Sequence, residues 1–245
     1  MAARHTTGWL HEVFASIQGE GIYCGQRHTF VRFAGCNLSC RYCDTPNARE
    51  PMPAACGAGT SAGGQSADLV NPVSAEDVVD LCRSLRSRTV SITGGEPLLQ
   101  PDFCAELMSR LKESGFTTYL ETNGVLHQEL SRVVDHADVI AMDFKLGSST
   151  GSETPWEDHE AFLRVAVKSK AFVKAIVSSR ASEAELARCA ELIAGVNAQI
   201  PLVIQPVTGS DSPSGDLLMK LQDAALAALE DVRVIPQCHK LLGLP

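Results

Sequence analysis

Short runs of β-branched and aromatic residues recur along this chain, and each is followed by a stretch with helical spacing. That alternation is the signature of βα units and of a largely parallel sheet, which leaves little room for an all-α or all-β fold. Strands are predicted near "HTFVRFA" (28–34), "TVSIT" (89–93), "TTYLET" (117–122), "DVIAMD" (138–143), "AFVKAIVS" (171–178) and "PLVIQPV" (201–207), with "DVRVIPQ" (231–237) as an edge piece. Ser74 with Asp77 and Ser182 with Glu185 have the pattern of helix N-caps with acidic first turns. The segment "PDFCAELMSRLKESG" opens at Pro101, places Phe103, Cys104, Leu107, Met108 and Leu111 on one face, and stops at Gly115.

At 245 residues the chain suits a single core domain spanning 1–245. The stretch from Arg49 to Pro72 is poor in bulky apolar residues and rich in Ala, Gly, Ser and Pro, and is expected to be a mobile insertion at 49–72. Its Cys56 is expected to be exposed enough to oxidise. No apolar run is long enough to span a bilayer, and the N-terminus lacks a secretory pattern, so a cytoplasmic location without membrane attachment is expected. A formal charge of −8, with no basic run interleaved with aromatics, argues against direct nucleic-acid binding and for a small-molecule substrate. In a reducing compartment, nine cysteines read as metal ligands or small hydrophobes rather than disulfides, and Cys82, Cys104 and Cys189 fall on apolar helix faces.

Cys36, Cys40 and Cys43 stand apart in "FAGCNLSCRYCDT", three thiols within eight residues immediately after a predicted strand. Chance clustering is one reading. A zinc site is a second, but structural zinc takes four ligands, and only Cys24 is available as a fourth. A third is a 4Fe-4S cluster with one iron left free of protein ligands, open to a small molecule. The spacing C-x3-C-x2-C, with Tyr42 before the last cysteine, resembles the signature of the radical S-adenosylmethionine superfamily. A partner motif follows on the next strand: Gly94, Gly95, Glu96 and Pro97 in "SITGGEPLL" resemble that superfamily's element for the methionyl amine. Taken alone, these four residues would be an ordinary strand-to-helix turn.

The order "QGEG" (18–21), "FVRFAGC", the cysteine loop with Asp44 and Thr45, "TGGEP", "ETNG" (121–124) and "PQCHKLLGLP" (236–245) resembles the 7-carboxy-7-deazaguanine synthase family from Val13 to Pro245. The resemblance implies a partial (β/α)6 barrel, a carbon-nitrogen lyase activity and a place in queuosine biosynthesis. The implied reaction is the contraction of 6-carboxy-5,6,7,8-tetrahydropterin to 7-carboxy-7-deazaguanine with loss of ammonia. It would be started by the 5′-deoxyadenosyl radical, which removes a hydrogen from C6 and later returns it. Implied cofactors are a 4Fe-4S cluster, S-adenosyl-L-methionine and Mg2+; implied partners are a flavodoxin- or ferredoxin-type reductant and a second copy of the chain.

By the same resemblance, Cys36, Cys40 and Cys43 would hold iron, and the Thr45 hydroxyl would hold magnesium on the substrate carboxylate. In the absence of the family pattern, Asp44 and Thr45 would simply cap a turn. Arg32 would meet that carboxylate. Ile17, Gln18 and Gly19 would lend backbone groups to the pterin, with Glu20 close by, and Thr93, His239 and the C-terminal Pro245 would complete the pocket. Without the family pattern, "IQGEG" reads as a hairpin turn.

For S-adenosylmethionine the implied contacts are Gly94, Gly95 and Glu96, then Asp143, Phe144 and Lys145, then Gln205, Pro206, Val207 and Thr208. The sequences "DFK" and "QPVT" depart from the family at these later strands, and Cys238 stands where a threonine is expected. Two rival functions share the cysteine loop: an activating enzyme for a glycyl-radical protein and a non-catalytic zinc module.

Overall fold

A computed structural model describes residues 6–60 and 68–244. Among the described residues twelve strands form, in chain order β1 (Thr7–Gly8), β2 (Leu10–Ile17), β3 (Arg27–Phe33), β4 (Ala55–Thr60), β5 (Leu69–Val70), β6 (Val73–Ser74), β7 (Thr89–Gly94), β8 (Thr117–Thr122), β9 (Val139–Phe144), β10 (Lys170–Val177), β11 (Leu202–Pro206) and β12 (Val232–Val234). Ten of them make one sheet in the order β12-β11-β10-β9-β8-β7-β3-β2-β4-β5, while β1 pairs with β6. From β3 through β7 to β12 every neighbouring pair is parallel.

The predicted strands are all present, and the helices between them are α1 (Ala75–Ser84), α2 (Pro101–Glu113), α3 (His127–Val133), α5 (Trp156–Ala166), α6 (Glu183–Asn197) and α7 (Gly215–Leu226), with one-turn helices α4 (Gly147–Thr150) and α8 (Cys238–Leu241) beside the site. The result is six βα units, as the strand count suggested. Serine hydroxyls cap three helices: Ser74, Ser182 and Ser214 accept from the backbone N–H of Asp77, Glu185 and Leu217 at 3.2 Å each.

The helices cover one face of the sheet, where Leu107, Met108, Leu111, Ile92, Leu120, Phe162 and Leu202 are fully buried. Cys82, Cys104 and Cys189 belong to this core, as their helical spacing predicts. The concave face holds a much smaller apolar cluster of Tyr119, Val139, Ala141, Phe172 and Val203. Beyond that cluster, toward the C-terminal strand ends, polar side chains replace apolar ones, and this is where ligands of parallel sheets gather.

Two expectations are corrected. Within 49–72, Ala55–Thr60 is a strand rather than loop, paired parallel with β2 and antiparallel with β5. Backbone hydrogen bonding to an open sheet edge needs few bulky side chains, so an Ala/Gly-rich segment can extend a sheet. Residues 61–67 lie outside the described residues. Cys56 is fully buried rather than exposed, and burial pushes its thiol up to about 12, which makes it a poor nucleophile. Unpredicted β2 runs antiparallel to β3, so "QGEG" is part of the connection between two hairpin strands.

Candidate active site

A cavity of about 700 Å3 opens at the C-terminal ends of the parallel strands. Its wall carries Cys36, Cys40, Cys43, Thr45, Ile17, Gln18, Gly19, Glu20, Arg32, Thr93, Gly94, Gly95, Asp143, Lys145, Val207, Thr208 and His239. Residues far apart in the sequence and from six strands, β2, β3 and β7 to β10, therefore share one space.

The cysteine loop leaves β3 at Phe33 and is braced by backbone bonds from Gly35 N–H to Ala48 O (2.8 Å) and from Glu96 N–H to Gly35 O (2.8 Å). Gly95 packs under it so closely that a Cβ there would lie 2.0 Å from the carbonyl oxygen of Gly35. The three thiols are half-buried and face the cavity, whereas Cys56, Cys82, Cys104 and Cys189 are buried. A single zinc with bonds near 2.3 Å would draw its sulfurs to about 3.8 Å from one another. Among the described residues, no set of three ligand atoms containing a cysteine lies within 4.8 Å, so the three thiols are not gathered around a single ion. Burial and the neighbouring Cys238 thiol push Cys24 up to about 11.

Glu96 does not line the cavity. Its carboxylate is fully buried and accepts from Leu98 N–H (3.0 Å), Thr122 Oγ1 (2.9 Å) and Asn123 N–H (2.8 Å), so it clamps the end of β7 to "ETNG" at the end of β8. Burial outweighs these bonds and pushes its pKa up to about 7. The turn is pinned from behind by buried His159. Its Nε2 accepts from Lys145 N–H at 2.8 Å, leaving Nδ1–H to donate to Gly124 O at 2.8 Å. Burial holds its pKa down at about 4.

Carboxylates from β8, β9 and the loop after β2 line much of the remaining wall. Glu121 accepts from Gln18 Nε2 and Thr93 Oγ1, both at 2.8 Å, and burial raises its pKa. Burial acts the same way on Glu20, but the Lys174 ammonium and a bond from Gln237 Nε2 (3.0 Å) overcome it and hold the pKa at about 2. Asp143 meets Lys145 Nζ at 3.0 Å, and that ammonium stands 5.5 Å from the centre of the Tyr42 ring. Arg32 pairs with Glu12 at 2.7 Å and lies over Phe14, itself stacked on Phe30.

The chain end closes the cavity: Cys238 N–H donates to Gly19 O at 2.9 Å, and α8 brings His239 against Gly19. Glu20, Asp44 and His239 present ligand atoms within 4.8 Å of one another, and Thr45 Oγ1 donates to Asp44 Oδ1 at 3.1 Å.

A model of the radical SAM superfamily matches residues 30–177, from β3 and the cysteine loop through β10. The 7-carboxy-7-deazaguanine synthase of Geobacter sulfurreducens is 42% identical over 246 residues, with 96% of each chain covered. The chain belongs to this synthase family. The synthase of Methanopyrus kandleri is 36% identical over 95% of this chain and 92% of its own length. The crystal structure of QueE from Escherichia coli superposes with a TM-score of 0.62 at 20% identity, covering 96% of both chains, which supports the fold.

Within the 7-carboxy-7-deazaguanine synthase family, as in radical SAM enzymes generally, three cysteines hold a 4Fe-4S cluster that binds S-adenosylmethionine. The site fits both groups: three half-buried thiols on the cavity wall, a glycine cradle at Gly95, and Asp143 with Lys145 at the end of β9.

Several expected contacts lie off the wall. Phe144 is fully buried on the helix side against Trp156 and His159, because strand alternation sends its side chain away from Asp143 and Lys145. Gln205 is also fully buried, and neither of its amide atoms has a partner. Pro206 does not reach the cavity, and Pro245 lies outside the described residues.

The sequence reading gave Glu121 no part in the substrate pocket and Asp44 only a turn-capping role, and it assigned nothing to Lys174 or Gln237. Lys174 carried the clearest signal, a lone cation inside the apolar run "AFVKAIV".

Proposed function

We propose that the cavity binds 6-carboxy-5,6,7,8-tetrahydropterin between Gln18, Glu20 and Glu121 on one side and S-adenosylmethionine on the cysteine side. The reaction would be ring contraction to 7-carboxy-7-deazaguanine with release of ammonia. When bound, the cluster and S-adenosylmethionine supply a carbon radical strong enough to remove a hydrogen from the substrate. The rest is positioning by this chain's own residues.

One observation carries the reading: the three half-buried thiols and a set of preorganised acceptors share one cavity of about 700 Å3. The 2-amino-4-oxo edge of a pterin is rich in N–H donors. Glu121, oriented by Gln18 and Thr93, offers that edge a carboxylate which is poorly compensated while the pocket is empty. The stacked rings of Phe14 and Phe30, 5.2 Å apart, give the wall a flat apolar patch, and Arg32 beside them suits the ring carboxylate. Backbone groups of Ile17 and Gly19 complete the contact, and His239 with the terminal Pro245 would cover the substrate and exclude water.

Magnesium would sit where Thr45 and Asp44 offer oxygen ligands beside Glu20 and His239, since this hard cation prefers oxygen and commonly bridges to a substrate anion. Val207 and Thr208 would border the nucleotide. A flavodoxin- or ferredoxin-type protein would deliver the electron, and the working unit would be a cytoplasmic homodimer.

The test is anaerobic incubation of reconstituted protein with the pterin acid, S-adenosylmethionine, magnesium and reductant, followed by chromatography. Formation of the deazaguanine acid is expected. Cleavage of S-adenosylmethionine at the same rate with and without the pterin, with no new product, would reject the substrate.

A further inference from the structure

Lys174 sits in the middle of β10 with its side chain only 3% exposed. A lysine in an apolar strand is costly to bury unless its charge is matched. Here it is matched twice. On one side it hydrogen bonds Glu20 Oε2, which arrives on the loop after β2 from across the concave face. On the other it forms an ion pair at 3.1 Å with Asp143 Oδ1, from the residue directly beside it on β9.

Each of those carboxylates is held a second time. Gln237, next to the closing α8, donates to Glu20 Oε1 at 3.0 Å, and Lys145 donates to Asp143 Oδ2 at 3.0 Å. A continuous line of charge-assisted contacts thus runs Gln237, Glu20, Lys174, Asp143, Lys145. Its two ends are the parts of the cavity assigned above to the pterin and to S-adenosylmethionine.

We infer that Lys174 is a positioning residue that couples the two halves of the cavity, so that seating one ligand sets the carboxylate the other must meet. The inference rests on the placement of the two ligands proposed above. Lys174 need not touch either ligand: moving Glu20 shifts the counter-charge seen by Asp143, and the reverse. A purely structural ion pair would stabilise the barrel without making one ligand's affinity depend on the other's. The distinction is thermodynamic, because coupling between sites is reciprocal and shows in binding alone.

The experiment is calorimetric titration of the anaerobically reconstituted holoenzyme with 6-carboxytetrahydropterin, in magnesium and without reductant, in the presence and absence of S-adenosylmethionine. For the native chain, S-adenosylmethionine should tighten pterin binding by about tenfold, within the range usual for coupled sites. Lys174→Met should bring that factor close to one, and Lys174→Arg should restore most of it. Should the Met variant fail to fold by circular dichroism, Lys174→Gln, which keeps a hydrogen-bond donor, should also lose the coupling. An unchanged factor in a folded variant, or no enhancement in a native chain that does bind the pterin, overturns the role of Lys174. A native chain that binds no pterin overturns the ligand placement itself, and the inference with it.

Discussion

The imidazole of His239 lies against Gly19 so closely that a Cβ on Gly19 would fall 2.2 Å from Nδ1 and 2.5 Å from the His239 backbone nitrogen. The loop after β2 and helix α8 meet here on the cavity wall. Gly19→Ala must therefore push α8 outward and break the bond from Cys238 N–H to Gly19 O. The expected result is a rise in KM for the pterin of about tenfold or more, equivalent to one lost interaction of ~1.4 kcal/mol, with little change in iron content. Steady-state kinetics and iron analysis check it, and an unchanged KM would show that the closing element does not shape the pocket.

Gly95 makes the same kind of contact at the other end of the cavity. Its added methyl would strike the Gly35 and Ala48 carbonyl oxygens, which are backbone and cannot swing away. Gly95→Ala should destabilise the protein by ~1–3 kcal/mol, as overpacking does, and should lower iron occupancy after reconstitution by displacing the cysteine loop. Chemical denaturation and iron analysis would detect both effects.

Cysteines sort by exposure. Alanine at Cys36, Cys40 or Cys43 should abolish the cluster absorbance near the visible edge, while alanine at Cys82 or Cys189 should leave iron and sulfide content intact in whatever fraction folds. Loss of iron from a folded Cys189 variant would contradict the assignment.

Thr45→Ala removes a hydroxyl that both orients Asp44 and can face a cation. Half-maximal activity should then require about tenfold more magnesium, the usual cost of disturbing a ligand set, with S-adenosylmethionine affinity unaffected. A magnesium titration that superposes on the native curve would remove Thr45 from the proposed metal site.

His159 is held neutral, with its pKa down at about 4 against an ordinary 6.5. Between those values the unfolded chain binds a proton that the folded chain refuses, so this residue makes stability fall as pH falls from 6.5 toward 4. His159→Gln should remove that dependence. The difference in unfolding free energy between native and variant should grow by up to ~1.4 kcal/mol per pH unit on going from pH 4 to 6.5. Parallel pH profiles in urea titrations would show that the imidazole titrates normally.

The local chemistry of the site was legible because it sits in contiguous stretches. The cysteine loop, "TGGEP" and "QGEG" each place two or more of their cavity-wall residues within a few positions, and strand ends in a parallel sheet deliver them to one side. Glu96 shows the limit of that legibility. The motif marks it as a ligand for the cofactor, whereas the structure has its carboxylate off the cavity wall, accepting from Thr122, Asn123 and its own turn at Leu98. Phe144 shows another limit, since adjacent residues on a strand point to opposite faces and a three-residue motif cannot all reach one pocket. The strand at Ala55–Thr60 escaped notice because edge pairing draws on backbone groups, which carry no compositional mark.

Patterns of apolar residues at periods of two and of about 3.6 by themselves determined six βα units, and closely spaced thiols and glycines determined where a cluster and its cofactor belong, because both depend on neighbours along the chain. Only the tertiary structure decided the company kept by Lys174, Glu20, Asp143 and Gln237. Their charges are satisfied across the concave face by residues far apart in sequence, and burial, which sets the strength of each pairing, exists only once the sheet has curved around them.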